Sequence, residues 1–349
     1  MRQISFALFV LILIASLILA GCGPKAELGE DDAKPRELFV LQFGGAYEDV
    51  LRANAAEFEE AHNAKITFVP AAGMDALIKA KNKEVDVVFT DPIYAFRGER
   101  EQVWAKLDEE SVPNLTRLHV KGRLSEYTVA HDFGCNVIGY NPKYVKEPPT
   151  SWQDFWKPEY RGKIGLPGGF RGGVIDLMFL MARLNGGGKE NLDPGFKKMA
   201  ELSPHIHTWT KDHPQILDLM RTEQIWLTLW SDGRINWAKG EGANIEMAVP
   251  EEGGFPLPTT MNAVAGRPNA DLALAYIDFE LSEGPQLAIA KELGYFPLNK
   301  EVQLPPEIQE KCAFTPENVN KVEIEYKRFI ESNMNELNER WEREVYGAK

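Results

Sequence analysis

The sequence predicts an α/β protein whose body is divided into two lobes. Residues 37–43, ELFVLQF, form a compact apolar strand that runs through Gly44 and Gly45 into a helical stretch over 48–62. A second unit follows at once, with a β-rich run at 65–69, a helix at 74–81 and the buried strand VDVVFT at 85–90. This alternation predicts mostly parallel sheets with helices on both faces. The body beyond residue 36 holds about 310 residues, more than one hydrophobic core usually serves, so a second lobe is expected.

Further along, YTVAHDFGCNVIGY at 127–140 reads as two strands separated by polar and glycine positions, and the first crossing between lobes is expected there. Helices are expected near 152–156, 174–184 and 214–222, with strands near 163–166 and 225–229. A second crossing is expected near 245–250, after which 260–264 returns to the first lobe and 271–281 makes a long helix. The resulting division is a first lobe of 37–130 with 250–300 and a second of 131–249 with 301–349.

The chain opens on Arg2 and an apolar run over about 6–20, too short for a comfortable membrane span and placed like a secretory signal. Leu19, Ala20 and Gly21 lead into Cys22 and resemble the site at which lipoproteins are cut and acylated. The reading is a signal peptide over 1–21 and a lipid anchor on Cys22, against the alternative of an uncleaved anchor helix. Residues 22–36, including ELGEDDAKPR at 27–36, cannot bury enough apolar surface to order themselves and are expected to be a tether. The body is thus expected outside the cytosol.

The net charge of −13 argues against nucleic acid, whose binding depends on clustered Lys and Arg. Of three cysteines, Cys135 and Cys312 remain after lipidation, and either a disulfide or two buried thiols fits them. The spacing of His205, His207 and His213 leaves a metal receptor as an alternative, although a surface loop after Ser203 and Pro204 explains them without one. A secreted hydrolase is the alternative from another class. No G-x-S-x-G, H-E-x-x-H or phosphate-cradling G-x-x-x-x-G-K-S/T occurs, so no enzyme activity, cofactor or metal is expected.

Several stretches together resemble the spermidine/putrescine-binding-like solute-binding proteins of bacterial ABC importers. They are FGGAYED at 43–49, TSWQDFWKPEYRGKI at 150–164, LTLWSDGR at 227–234, VPEEGGF at 249–255 and AIAKELGYFPLN at 288–299, in the family's order. The resemblance implies the two-lobed periplasmic-binding-protein type 2 architecture, with crossover strands between the lobes and a small solute held in the cleft. It also implies permease subunits as partners and a monomer as the working unit.

Candidate ligand contacts follow. Phe43, Gly45 and Tyr47 occupy the first strand-to-helix turn, where helix amides hold anions and a ring can cover an alkyl stem or a cation. Asp91 and Tyr94 end the next strand, with a helix cap as the plain alternative for Asp91. Trp230, Asp232 and Arg234 combine a ring, an anion and a cation in one turn, where the family places ligand contacts; Asp232 and Arg234 could instead pair with each other. Arg171 and Thr260 complete the set. PGGFRGG at 167–173 and PLPTTMN at 256–262 carry no acid where polyamine receptors carry one. Burying a diammonium chain there would be costly, so within the polyamine-like class the ligand expected is an amino acid such as 4-aminobutyrate, an aminophosphonate or another small zwitterion.

Overall fold

The structure, a computed structural model, describes residues 34–169 and 172–348. The signal peptide, Cys22, most of the tether and Arg171 lie outside the described residues. The first unit runs β1 (Arg36–Gln42), α1 (Ala46–His62), β2 (Ala64–Pro70), α2 (Gly73–Lys81), β3 (Val87–Thr90) and α3 (Pro92–Arg100). Strand β4 (Val129–Tyr140) then carries the chain onward to β5 (Ile164–Pro167), α4 (Gly173–Leu184), α5 (Asp193–Leu202) and β6 (Ile206–Thr210). Next come α6 (His213–Arg221), β7 (Leu227–Ser231), α7 (Asp232–Gly240), β8 (Glu246–Ala248) and β9 (Phe255–Ala263). The chain ends through α8 (Ala270–Glu280), α9 (Glu283–Leu293), β10 (Phe296–Pro297), α10 (Pro306–Gln309) and α11 (Tyr326–Glu344).

Among the described residues the strands form one continuous sheet in the order β2-β1-β3-β9-β4-β7-β5-β6, with β8 and β10 also paired to β4. Its two ends are parallel triplets, β2-β1-β3 as the sequence predicts and β7-β5-β6, in which β6 takes His207 into a strand where a surface loop was expected. The middle is antiparallel, because β4 and β9 run in opposite directions between the two triplets. The sheet as a whole is therefore mixed.

Alternation along the outer strands covers both faces. Leu38 and Val40 of β1 and Val87 and Phe89 of β3 face α1 and α8, packing on Leu51, Phe58, Tyr276 and Ile277. Leu41 and Val88 face the other way, onto Ala76, Leu77 and Ala80 of α2. In the second triplet, Leu166, Leu227 and Leu229 pack against α4 and α5 through Val174, Met178 and Phe196. The core of the first triplet continues along β4 through Phe133, Cys135 and Val137 to Trp230, Ile216 and Ile235. Cys135 and Cys312 are both buried and free.

The stretch 127–140, expected as two strands, is one strand with a register shift between Ala130 and Asp132. Its polar residues punctuate no turn, because His131 and Asp132 find tertiary partners in Tyr47 and Glu280. The second crossing lies in β9 rather than near 245–250: Phe255 pairs with Asn136 at one end and Ala263 with Val87 at the other. The segment 245–250 instead contributes β8, paired to the far end of β4. The TSWQDFW motif supports this crossing. The Trp152 ring stacks on Phe255 with centroids 4.3 Å apart, and its Nε1 donates to the Gly253 carbonyl at 2.8 Å.

Helix α11 was not foreseen, although Ile330, Leu337 and Trp341 recur at helical spacing. They enter the core of the second triplet, and Trp341 is fully buried. At its other end α11 meets α3 through Arg328–Glu99 at 2.7 Å and Arg100–Glu331 at 2.5 Å. The Arg328 guanidinium also lies 3.9 Å from the centroid of Phe96. Trp341→Ala should lower stability by about 3–5 kcal/mol through loss of buried area and the cavity left behind. Urea unfolding measures this, and a loss below about 1 kcal/mol would show that α11 does not complete this core.

Candidate functional site in the crevice between the parallel triplets

Strand direction decides where a ligand can sit. Thr90, the last residue of β3, pairs with Thr260 in the middle of β9, and Ser231, the last of β7, pairs with Asn136 in the middle of β4. Both triplets therefore aim their carboxyl ends at the same stretch of crossover strands from opposite sides. The turns leaving those ends line a crevice, the usual place for a ligand in α/β folds.

The two triplets open their first helices alike. Gly45 precedes α1 with φ 62° and ψ −144°, and Gly172 precedes α4 with φ 55° and ψ −145°. No atom lies within 4 Å of where a Cβ would stand at either, so the positive φ, not crowding, requires glycine. Neither helix has a side-chain cap. Each therefore presents first-turn amides able to hold an anionic group.

Around this frame the expected residues separate into two sets. Phe43 is half-buried with its ring edge-on to Tyr47, centroids 5.7 Å apart, and Gly45 is exposed. Asp91 stands at the N-cap of α3 but makes no capping bond, so its half-buried carboxyl is not spent on its own helix. Burial pushes that carboxyl up, an effect the nearby Lys327 ammonium opposes. Tyr94 lies half-buried over Gly73. Arg234 is exposed in the first turn of α7, its guanidinium 5.8 Å from the centroid of Trp237.

Tyr47, Trp230, Asp232 and Thr260, expected as ligand contacts, have their polar atoms engaged inside the protein. The Tyr47 hydroxyl is 2.7 Å from Asp132 Oδ2 and 2.6 Å from His131 Nδ1. Trp230 is buried and donates from Nε1 to His213 Nδ1 at 2.8 Å. Asp232 has no exposed surface and does not pair with Arg234. Its Oδ1 accepts from the backbone N–H groups of Cys135 at 3.1 Å and Gly233 at 2.8 Å, and its Oδ2 from that of Ala313 at 3.2 Å. Burial raises this carboxyl to about 7 against the pull of those three donors. Thr260 is fully buried, its hydroxyl donating to the Thr90 carbonyl at 2.7 Å.

Two buried charge groups were not foreseen. At the start of β4, His131 Nδ1 is 3.0 Å from Asp132 Oδ2 and Nε2 is 3.3 Å from Glu280 Oε2. Burial alone would lower the imidazole, but hydrogen bonds to Asp132 and Glu280 outweigh it and raise His131 to about 9. The second group joins Asp176 of α4 to Lys327 of α11. Asp176 had a readable signal, as the one acid in the otherwise apolar run GVIDLMFLMA at 173–182. Lys327 had none, lying in the charge-rich run EIEYKR at 323–328. Among the described residues no group of three or more His, Cys, Asp or Glu could hold a metal ion.

The family of bacterial extracellular solute-binding proteins matches this chain over residues 82–320. The chain belongs to that family. It is 27% identical over 306 residues to the gamma-aminobutyric acid-binding protein of Pseudomonas aeruginosa, covering 82% of this chain and 84% of that one. To the spermidine/putrescine-binding periplasmic protein of Escherichia coli it is 25% identical over 227 residues, covering 62% of this chain and 64% of that one. A crystal structure of an ABC transporter from Clostridium perfringens matches with a TM-score of 0.78 at 25% identity, over 88% of this chain and 99% of that one. The protein is thus an extracytoplasmic solute receptor of an ABC importer, with the two-lobed periplasmic-binding-protein type 2 fold.

Two expected outcomes follow from the receptor's buried charges. Asp232→Ala should cost about 2–4 kcal/mol in urea unfolding, because three backbone donors lose their acceptor. Asp232→Asn, which keeps one oxygen, should cost less. His131 is raised above its unfolded value near 6.5, so its contribution is complete below that pH and is lost as pH rises through about 9. The melting temperature should fall across this window in the native receptor and fall less in His131→Gln; parallel pH profiles would exclude a charged His131.

Proposed function

We propose that this receptor is anchored by a lipid on Cys22 and captures a small zwitterion, carrying one acid group and one ammonium, between lobes of 37–130 with 250–300 and 131–249 with 301–349. The observation that carries the reading is the matched pair of glycine-led helix N-termini at Gly45 and Gly172, one from each triplet, together with an Asp91 carboxyl that makes no capping bond. Helix amides suit a carboxylate or phosphonate, and a half-buried carboxylate suits an ammonium. Phe43 and Tyr94 supply ring surface for the stem between them. Arg234 adds a cation on the acid side, and Arg171, which precedes Gly172 in the sequence, is a second candidate for that role. The relative from Pseudomonas aeruginosa, named for gamma-aminobutyric acid, supports a solute of this class.

In this reading the receptor binds without turnover and works as a monomer. Free receptor samples open forms, solute bridges the lobes, and the population shifts to a closed form that the permease recognises. A thermal-shift screen of the mature protein against amino acids, aminophosphonates, polyamines, sugar phosphates and metal ions tests the class. 4-Aminobutyrate or an aminophosphonate should raise the melting temperature, and stabilisation by metal ions alone would overturn the reading. Arg234→Ala should weaken acid-bearing ligands by about tenfold or more and spare purely cationic ones. Equal loss for both, or for neither, would remove Arg234 from the site.

A further inference from the structure

Three charged side chains from distant parts of the chain meet beside the crossover strands. Asp91 leads α3 on the first triplet, Asp176 sits in the first turn of α4 on the second, and Lys327 in the first turn of α11. Lys327 Nζ is 3.5 Å from Asp176 Oδ1 and donates to the Pro256 carbonyl of β9 at 3.2 Å. The same ammonium acts through space on Asp91. The Tyr326 hydroxyl donates to Asp176 Oδ1, whereas Asp176 Oδ2 is buried with no hydrogen-bond partner. Lys327 is 7% exposed and Asp176 3%, so water does little to screen these charges.

Lys327 thus pairs with the carboxylate from one side of the crevice and acts through space on that from the other, and two acids with one ammonium leave the cluster one positive charge short of balance. Burial pushes both carboxyls up, so both gain from a further cation. We propose that Lys327 sets the charge count of the cleft: it neutralises one of the two carboxylates and leaves the equivalent of one for the ligand, so the receptor selects a solute with a single ammonium over a diamine. This inference rests on reading the crevice as the site of an amine-bearing solute. The protein's own ammonium occupies the place of a second ligand ammonium, and that makes Lys327 a specificity-determining residue. A diamine would bring two positive charges to a site needing one, leaving the second desolvated and unpaired.

The test is calorimetric titration of the mature receptor, native and Lys327→Met, with 4-aminobutyrate and with putrescine. Methionine keeps length and removes charge. The native receptor should favour 4-aminobutyrate, and Lys327→Met should shift the affinity ratio toward putrescine by about tenfold or more. A folded Lys327→Met with an unchanged ratio overturns the inference alone, whereas a native receptor that favours putrescine overturns both the inference and the zwitterion reading. A native receptor that binds neither of these amines nor 2-aminoethylphosphonate overturns the amine-solute reading and the inference with it. Should Lys327→Met fail to fold, Asp176→Asn decides. It keeps an acceptor for Tyr326, lets Lys327 balance Asp91, and should weaken 4-aminobutyrate about tenfold; unchanged affinity overturns the inference.

Discussion

Strand β4 is hydrogen-bonded to four others, and every other element of the body takes its place from that pairing. Its first half pairs with β9 and β10, its second half with β7 and β8, and all twelve of its residues are buried. A one-residue slip in such a strand would turn each side chain to the opposite face. The register therefore fixes more than the sheet. It puts Asn136 opposite Ser231, so the end of the second triplet faces that of the first, which β9 registers to Ala130. The crevice is a consequence of where these pairings stop.

A strand that leaves one core before entering another exposes polar backbone and side chains to a low-dielectric setting on the way, and unpaired groups there are costly. The receptor meets this with buried charge rather than apolar filling. His131 and Asp132 near the start of β4 are held with Tyr47 and Glu280, and Cys135 gives its N–H to Asp232. Asp232 takes donors from β4, α7 and the segment after α10 at once, adding directional bonds to three parts of the chain that share one hydrophobic core. Breaking a buried arrangement of this kind costs more than forming it gains, which favours one arrangement of the crossover strands over its neighbours.

The same physics explains which features were readable in the sequence. Strong periodicity marked β1, β3 and α4, and order along the chain marked the family. Residues 127–140 were harder, because in a linear string Asp132, Gly134 and Asn136 look like punctuation between two strands. In space Gly134 makes room for the Tyr295 ring, which a Cβ would meet at 3.0 Å, and Asp132 meets Tyr47. Phe43, Gly45, Asp91 and Tyr94, proposed as ligand contacts, stand out in the sequence because a strand end followed by glycine or proline announces itself. Trp230 and Asp232 carried the right chemistry in the right turn, yet burial engaged both within the protein, and burial is not written in a short motif. Lys327 became interpretable only when α11 brought it to Asp176.

Helix α11 also bears on how the chain reaches its folded state. The core of the second triplet, with members from Ile138 to Phe255, needs Ile330, Leu337 and Trp341, and the core of the first needs Phe314, Val319 and Ile324. Neither can be finished by a growing polypeptide until its last segment has emerged. A chain made from its amino terminus therefore keeps both cores incomplete until residues 314–341 have been added.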